Sequence, residues 1–328
     1  MIKIFLLIVI AANAPAATPV IIDTDMGSDD VMAIALLLSH PEIPIEAITV
    51  VNGLAHVPAG AANARRLLQA SGRSTIKVFE GRETALQRTS DFPVEWRTGS
   101  DQPLTKESPV APKSAERAEV WLAHRLKDVT HPVRILALGP LTNLAIALEG
   151  AHPKAVEEIV IMGGAFRVPG NLGDGGAFKT TNTTAEWNFF VDPEGAARVF
   201  RSGVPIRVVP LDATSRVKLD LAFLTRYQRE ARGPLAALVT KVLIGERDMI
   251  VQGIFYAWDP LAAAALLDPT VATWTPAHVA VNHDGRSLMD SGKPNASVAL
   301  DASRTRFETI FLKSGLTDSR SGTRTPAR

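Results

Sequence analysis

The chain of 328 residues contains no cysteine, two tyrosines and only 6 % aromatic residues. Without thiols the fold cannot rest on disulfides, and metal sites built on thiolates or a cysteine nucleophile are excluded, while oxidising compartments stay open to it. Neither sign of charge dominates, with 35 Lys and Arg against 34 Asp and Glu, and no basic run is interleaved with aromatics. That balance disfavours a surface for polyanions, so a nucleic acid polymer is not an expected partner. No apolar run approaches the roughly 20 residues that a membrane-spanning helix requires. There is no Gly-rich phosphate loop of the standard form and no Ser/His/Asp hydrolase elbow, which disfavours nucleoside triphosphate use and hydrolysis through a protein nucleophile.

What is present is an ordinary globular composition, 46 % hydrophobic and 21 % charged, long enough to bury a large core. No Gly/Ser-rich linker or composition break divides it, so one domain is expected over residues 18–313. The beginning departs from the rest. Lys3 supplies a positive charge, residues 4–12 are apolar, and Ala14, Ala16 and Ala17 follow. This order reads as a secretory signal peptide over residues 1–17, with a mature periplasmic or secreted protein starting near Ala17 or Thr18. The alternative reading of the same residues is a buried first strand. The polar end, residues 314–328, is expected to be disordered.

Compact apolar runs at residues 20–23, 45–51, 133–138, 159–162 and 206–209 have the character of strands buried on both faces. Helix-period stretches at 30–39, 59–70, 115–129, 143–149 and 193–201 alternate with them. A βαβα order predicts an α/β fold with an open, mostly parallel, Rossmann-like sheet flanked by helices. In such sheets ligands sit beyond the carboxyl ends of the strands, so the residues just after each strand are the candidates for function.

The first strand runs directly into Asp23-Thr24-Asp25-Met26-Gly27-Ser28-Asp29-Asp30, four carboxylates within eight residues, ahead of an apolar helix. Capping of a helix N-terminus accounts for one or two of these acids. It does not account for Asp23 and Asp25 at the end of a buried strand. An oxygen-only donor set of this kind suits a hard divalent cation, Ca²⁺ or Mg²⁺. The seven histidines form no metal-type pair beside acids.

This segment resembles the signature of the nucleoside hydrolase family, with Met26 where proline is usual. Four further segments agree in order: Leu138-Gly139-Pro140-Leu141-Thr142-Asn143, Met162-Gly163-Gly164-Ala165, Ala185-Glu186-Trp187-Asn188 leading to Asp192-Pro193, and Trp258-Asp259-Pro260. The resemblance extends from Val20 to about Leu267. It implies the nucleoside hydrolase fold and Ca²⁺ held by Asp25, Asp30, Asp259 and the main-chain carbonyl of Leu138. Leu138 stands where the family usually has threonine, a harmless exchange at a main-chain ligand. The implied ribose-binding residues are Asp29, Asn171, Glu186 and Asn188, with Asn182 in the same loop as the alternative to Asn171. Asn52, after the second strand, lies where relatives commonly place an Asn or Asp near the sugar. Relatives are commonly homo-oligomers, dimers or tetramers.

Breaking a ribosyl C–N bond builds positive charge on the sugar, so the reaction needs carboxylates nearby, an activated water and a base able to leave. By the resemblance, Asp25 is the general base for a water made acidic by the cation. Many relatives carry histidine just before the last metal aspartate; this chain has Trp258. The run Phe92-Pro93-Val94-Glu95-Trp96-Arg97 is similar to the purine-specific inosine-adenosine-guanosine branch, in which two tryptophans sandwich the base. Trp96, Trp258, Glu95 and Trp187 are therefore the expected base-binding residues. The expectation is calcium-dependent hydrolysis of purine ribonucleosides to base and ribose, a purine nucleosidase activity. Two alternatives stay open: a broad or pyrimidine-accepting ribonucleoside hydrolase, and a periplasmic nucleoside- or calcium-binding protein without turnover.

Overall fold

The computed structural model describes residues 17–314 except 88–89, 103, 106–113 and 175–177. The expected signal peptide and polar tail therefore lie outside the described residues, apart from Ala17 and Ser314. The first six strands are β1 (Val20–Thr24), β2 (Ile45–Val50), β3 (Lys77–Glu80), β4 (Val133–Ala137), β5 (Val156–Met162) and β6 (Ile206–Val209). Three more follow near the end, β7 (Ala272–Val281), β8 (Ser287–Asp290) and β9 (Ala296–Ala302). They form one sheet in the order β3-β2-β1-β4-β5-β6-β9-β7-β8. The first six and β9 pair in parallel, while β7 runs antiparallel to both β8 and β9. The five strands read from the sequence are all present. Each is apolar throughout because helices cover both faces of a parallel sheet.

The chain leaves β1 toward β2 and β3 on one side, then returns to β4 on the other. That reversal leaves a crevice at the carboxyl ends of β1 and β4, where open α/β sheets bind ligands. One hydrophobic core fills each face of the sheet. In the first, helix Ser28–Leu38 packs against helix Trp258–Leu267, and nearly every residue of both is buried. The helices expected at 30–39, 59–70, 143–149 and 193–201 appear as Ser28–Leu38, Val57–Ala70, Thr142–Leu148 and Pro193–Arg201. That expected at 115–129 is shorter, Ala118–Arg125, because its apolar contacts end at Leu126 and a polar turn built on Asp128 follows. No helix among the described residues is long and apolar enough to cross a membrane.

Candidate active site

The two buried helices explain how acids come together in a core. Asp29 and Asp30 stand in the first turn of Ser28–Leu38, and Asp259 in the first turn of Trp258–Leu267. Both N-termini converge, so their unpaired N–H groups and dipoles favour negative charge at one point. One carboxylate oxygen each from Asp29, Asp30 and Asp259 lies within 4.8 Å of the others, and all three residues are buried. Asp30 Oδ2 accepts the Gly27 N–H at 2.8 Å and its Oδ1 accepts the Thr24 hydroxyl. Asp25, at the end of β1, joins the trio through its reach to Asp30 and accepts the Leu54 N–H on Oδ2 at 2.8 Å. Asp23 faces elsewhere. Its Oδ1 accepts from Thr49 Oγ1 at 2.6 Å and from Asn143 Nδ2 at 3.0 Å, so it knits β1, β2 and helix Thr142–Leu148 together beneath the site.

Two glycines make room for Asp25. A Cβ on Gly53 would fall 2.0 Å from Asp25 Oδ2, and one on Gly139 would fall 2.9 Å from the Asp25 Cβ. Met26, the residue that replaces the usual proline, has φ of 56°, in the left-handed region. A proline ring holds φ near −65°, so this turn could not be built on proline.

Electrostatically, these acids are poised for a cation. Burial, then the charge of Asp30, holds Asp25 well above the ordinary carboxylate range, and the same two causes push Asp29 up to about 8. Asp259 is raised well above it by burial and by the charges of Asp29 and Asp30; Asp30 is raised by burial. Like charges this close do not ionise together in a dry site without a positive partner. The donor chemistry, several carboxylates and a nearby main-chain carbonyl, fits a hard divalent ion. Leu138 borders the same cavity, and its carbonyl accepts Asn188 Nδ2 at 2.9 Å, which leaves it one lone pair.

The cavity above these acids has a volume of about 410 Å³, the size for a small-molecule ligand. All twelve residues expected to act on the ion, the sugar or the base border it. Glu186, at the N-terminus of helix Trp187–Val191, accepts the N–H groups of Asn188, Gly164 and Phe189, and burial raises its carboxyl to about 6. Asn171 borders the cavity and its Oδ1 takes the Trp187 N–H at 3.1 Å. Asn182 does not border it. Its amide is consumed in holding the loop, through the N–H groups of Thr184 and Ala185 and the Asp284 carbonyl.

The aromatic side is built in two parts. Trp258 packs edge-on against Phe255 and Tyr256, at 5.6 and 5.8 Å between ring centroids. Trp96, which also borders the cavity, meets Trp187 edge-on at 5.6 Å, and Trp187 in turn stacks on Phe92 at 5.0 Å. Trp187 is 3 % exposed and its indole N–H donates to the Asn171 carbonyl, so it is mainly the foundation on which Trp96 rests. Glu95 stands exposed at the rim. Among the described residues no histidine borders the cavity. Sequence reasoning missed the wall formed by Val242 of helix Pro234–Gly245, Met249 of helix Arg247–Gln252 and Glu246 between the two helices. A helical spacing of Leu235, Leu238, Val239, Val242 and Leu243 was the available signal.

Comparison with known proteins agrees with this geometry. The family described as "Inosine-uridine preferring nucleoside hydrolase" matches residues 20–309. A pyrimidine-specific ribonucleoside hydrolase, RihA, of Salmonella typhi is 32 % identical over 319 residues, covering 90 % of this chain and 98 % of its own. The solved structure of a plant nucleoside hydrolase, PpNRh1, superposes with a TM-score of 0.76 at 30 % identity, over 92 % of this chain and 99 % of that one. A purine-preferring ribonucleoside hydrolase from Gardnerella vaginalis gives 0.75 at 27 % identity, over 91 % and 99 %. A sheet reversing at β1 and β4, an aspartate cluster at that reversal and a match over nearly the whole sheet-forming chain lead to one assignment: this chain belongs to the inosine-uridine preferring nucleoside hydrolase family, enzymes that hydrolyse the N-glycosyl bond of nucleosides.

Proposed function

We propose that this protein uses a divalent cation, calcium, to hydrolyse purine ribonucleosides in preference to pyrimidine ones. The observation that carries the preference is a cavity bordered by Trp96 and Trp258 with no histidine among its described lining residues. The cation would be held by Asp25, Asp30, Asp259 and the Leu138 carbonyl, with Asp29 close enough to share it. When bound, such an ion makes a water acidic and grips the vicinal hydroxyls of ribose.

The chain's own groups do the rest. Asp25 takes the proton of the attacking water, and the Leu54 N–H on its Oδ2 fixes the rotation of the carboxyl. As water adds to the anomeric carbon, the C–N bond breaks and its electron pair leaves with the base. The sugar passes through a cationic state that the buried carboxylates stabilise in a low-dielectric site. Asp29 accepts from the diol, and Asn171, Glu186 and Asn188 orient the remaining hydroxyls. Trp96 and Trp258 stack on the purine and favour its protonated form by cation–π attraction, about 0.5–2 kcal/mol for each face. Two faces supply roughly one to three decades of rate, at about 1.36 kcal/mol per decade. A pyrimidine offers less area and lacks the imidazole nitrogen that takes the proton.

A second reading, broad or pyrimidine-directed hydrolysis, draws on the 32 % identity to the pyrimidine-specific RihA. Comparing kcat/KM for inosine and uridine in the wild type and in Trp258→Ala separates them. Inosine favoured, with the advantage cut by the substitution, supports stacking; equal handling of both, or an unaffected variant, sinks it. We also propose one catalytic domain over residues 18–313 and export directed by residues 1–17, on the pattern of Lys3, apolar residues and alanines.

A further inference from the structure

Helix Val94–Ser100 presents Trp96 at the cavity, and the next residue, Arg97, turns into the protein. Arg97 is 8 % exposed while Glu95, Thr98 and Gly99 around it are exposed. Its Nη2 donates to Asn52 Oδ1 at 2.8 Å, and its Nη1 lies 3.6 Å from Asp91 Oδ1. The Asn52 amide donates to the same Asp91 oxygen at 3.4 Å. Arg97 Nε is buried without a hydrogen-bond partner among the described residues. A guanidinium buried with one long ion pair and one orphan nitrogen is a poor source of stability, since desolvation offsets the Coulomb gain. Its place in the fold gives it another use.

Asn52 opens the segment Asn52-Gly53-Leu54-Ala55, which wraps the proposed general base. The Leu54 N–H meets Asp25 Oδ2 at 2.8 Å, and the Ala55 N–H meets the Asp25 carbonyl at 2.9 Å. Arg97 is thus bonded to the first residue of the loop that aims Asp25 and is adjacent in sequence to the tryptophan at the base. Neither Arg97 nor Asn52 borders the cavity. Asn52, expected near the sugar, is instead 2 % exposed and engaged by Arg97 and Asp91.

We propose that Arg97 is a positioning residue that fastens the base-stacking helix to the Asp25-holding loop through Asn52, so that base engagement and the general base stay in register. This rests on the ribonucleoside hydrolase reading given above. The guanidinium fork offers two separate nitrogens, one to Asn52 and one toward Asp91, where a lysine would offer a single ammonium on a flexible stem.

The test compares wild type, Arg97→Met, Arg97→Lys and Asn52→Ala, each confirmed folded by circular dichroism. It measures kcat and KM on inosine and on p-nitrophenyl riboside, whose leaving group needs no protonation, and hydrogen–deuterium exchange at the Leu54 and Ala55 amides. Displacing Asp25 should lower kcat roughly a hundredfold on both substrates, with KM much less changed, in Arg97→Met and in Arg97→Lys alike. Exchange at Leu54 should speed up. If Arg97→Met does not fold, Asn52→Ala removes the same hydrogen bond and is read the same way. Arg97→Lys with wild-type kcat, or folded variants with unchanged Leu54 exchange, would overturn the inference. A wild type that released no sugar from any ribonucleoside would overturn the hydrolase reading instead, and Leu54 exchange would still decide the link.

Discussion

Removing divalent cations should make the stability of this protein fall as pH rises, and the size of the effect follows from the buried acids. Asp29 has its carboxyl raised from 3.8 to about 8. Between those values the folded state keeps a proton that the unfolded chain releases, so the folded chain binds more protons and stability falls with pH. The contribution is fully present below 3.8 and is lost as pH rises through about 8. Each proton retained only by the folded state makes the slope about 1.4 kcal/mol per pH unit. Asp25, Asp30 and Asp259 are shifted in the same direction. Set against a total stability on the order of 5–15 kcal/mol, this is enough to loosen the site in alkaline, cation-free solution. A bound cation lets the carboxylates ionise without that loss, and contributes about 2.7 kcal/mol at a hundredfold excess over its Kd. The assay is thermal denaturation of chelator-treated protein at several pH values in this window, with and without calcium. Melting temperature should drop by roughly 2–4 °C for each kcal/mol lost, and calcium should restore more of it at high pH than at low. A cation-free melting temperature that is flat or rises over the window, or a calcium effect that shrinks with pH, would refute the reasoning.

Three further outcomes are expected. Asp25→Asn should lower kcat far more than it changes KM, because the lost proton acceptor matters at the transition state; steady-state kinetics on inosine check this. Gly53→Ala should abolish most turnover, since the new Cβ would sit 2.0 Å from Asp25 Oδ2, and turnover should remain low in variants that still melt cooperatively. Mass spectrometry of the protein recovered from its native host should find the mature N-terminus near Ala17 or Thr18; an intact Met1 would remove the export proposal.

Parts of this site were legible because they are local. Asp25, Asp29 and Asp30 sit within six residues, and their crowding at a strand-to-helix turn already signals a cation. The five central strands were legible because burial on both faces leaves continuous apolar runs. Strand β7 escaped, being half-exposed along most of its length and interrupted by Pro276, and β3 is only four residues long. Asp259 lies more than 200 residues from the other acids, so only the resemblance of Trp258-Asp259-Pro260 to the family motif marked it; the packing of its helix against Ser28–Leu38 is what brings it to them. The capture of Asn52 by Arg97 depends on a contact between distant segments that no local pattern encodes.

Ribonucleoside hydrolysis should require a cation held by the aspartate cluster. Free ribose released from inosine, followed in chelator-treated protein and again after calcium is added back, tests it most directly. No turnover is expected without the cation, and full recovery with it. Undiminished ribose release from verified cation-free protein, or none from inosine or uridine after calcium is restored, would contradict it.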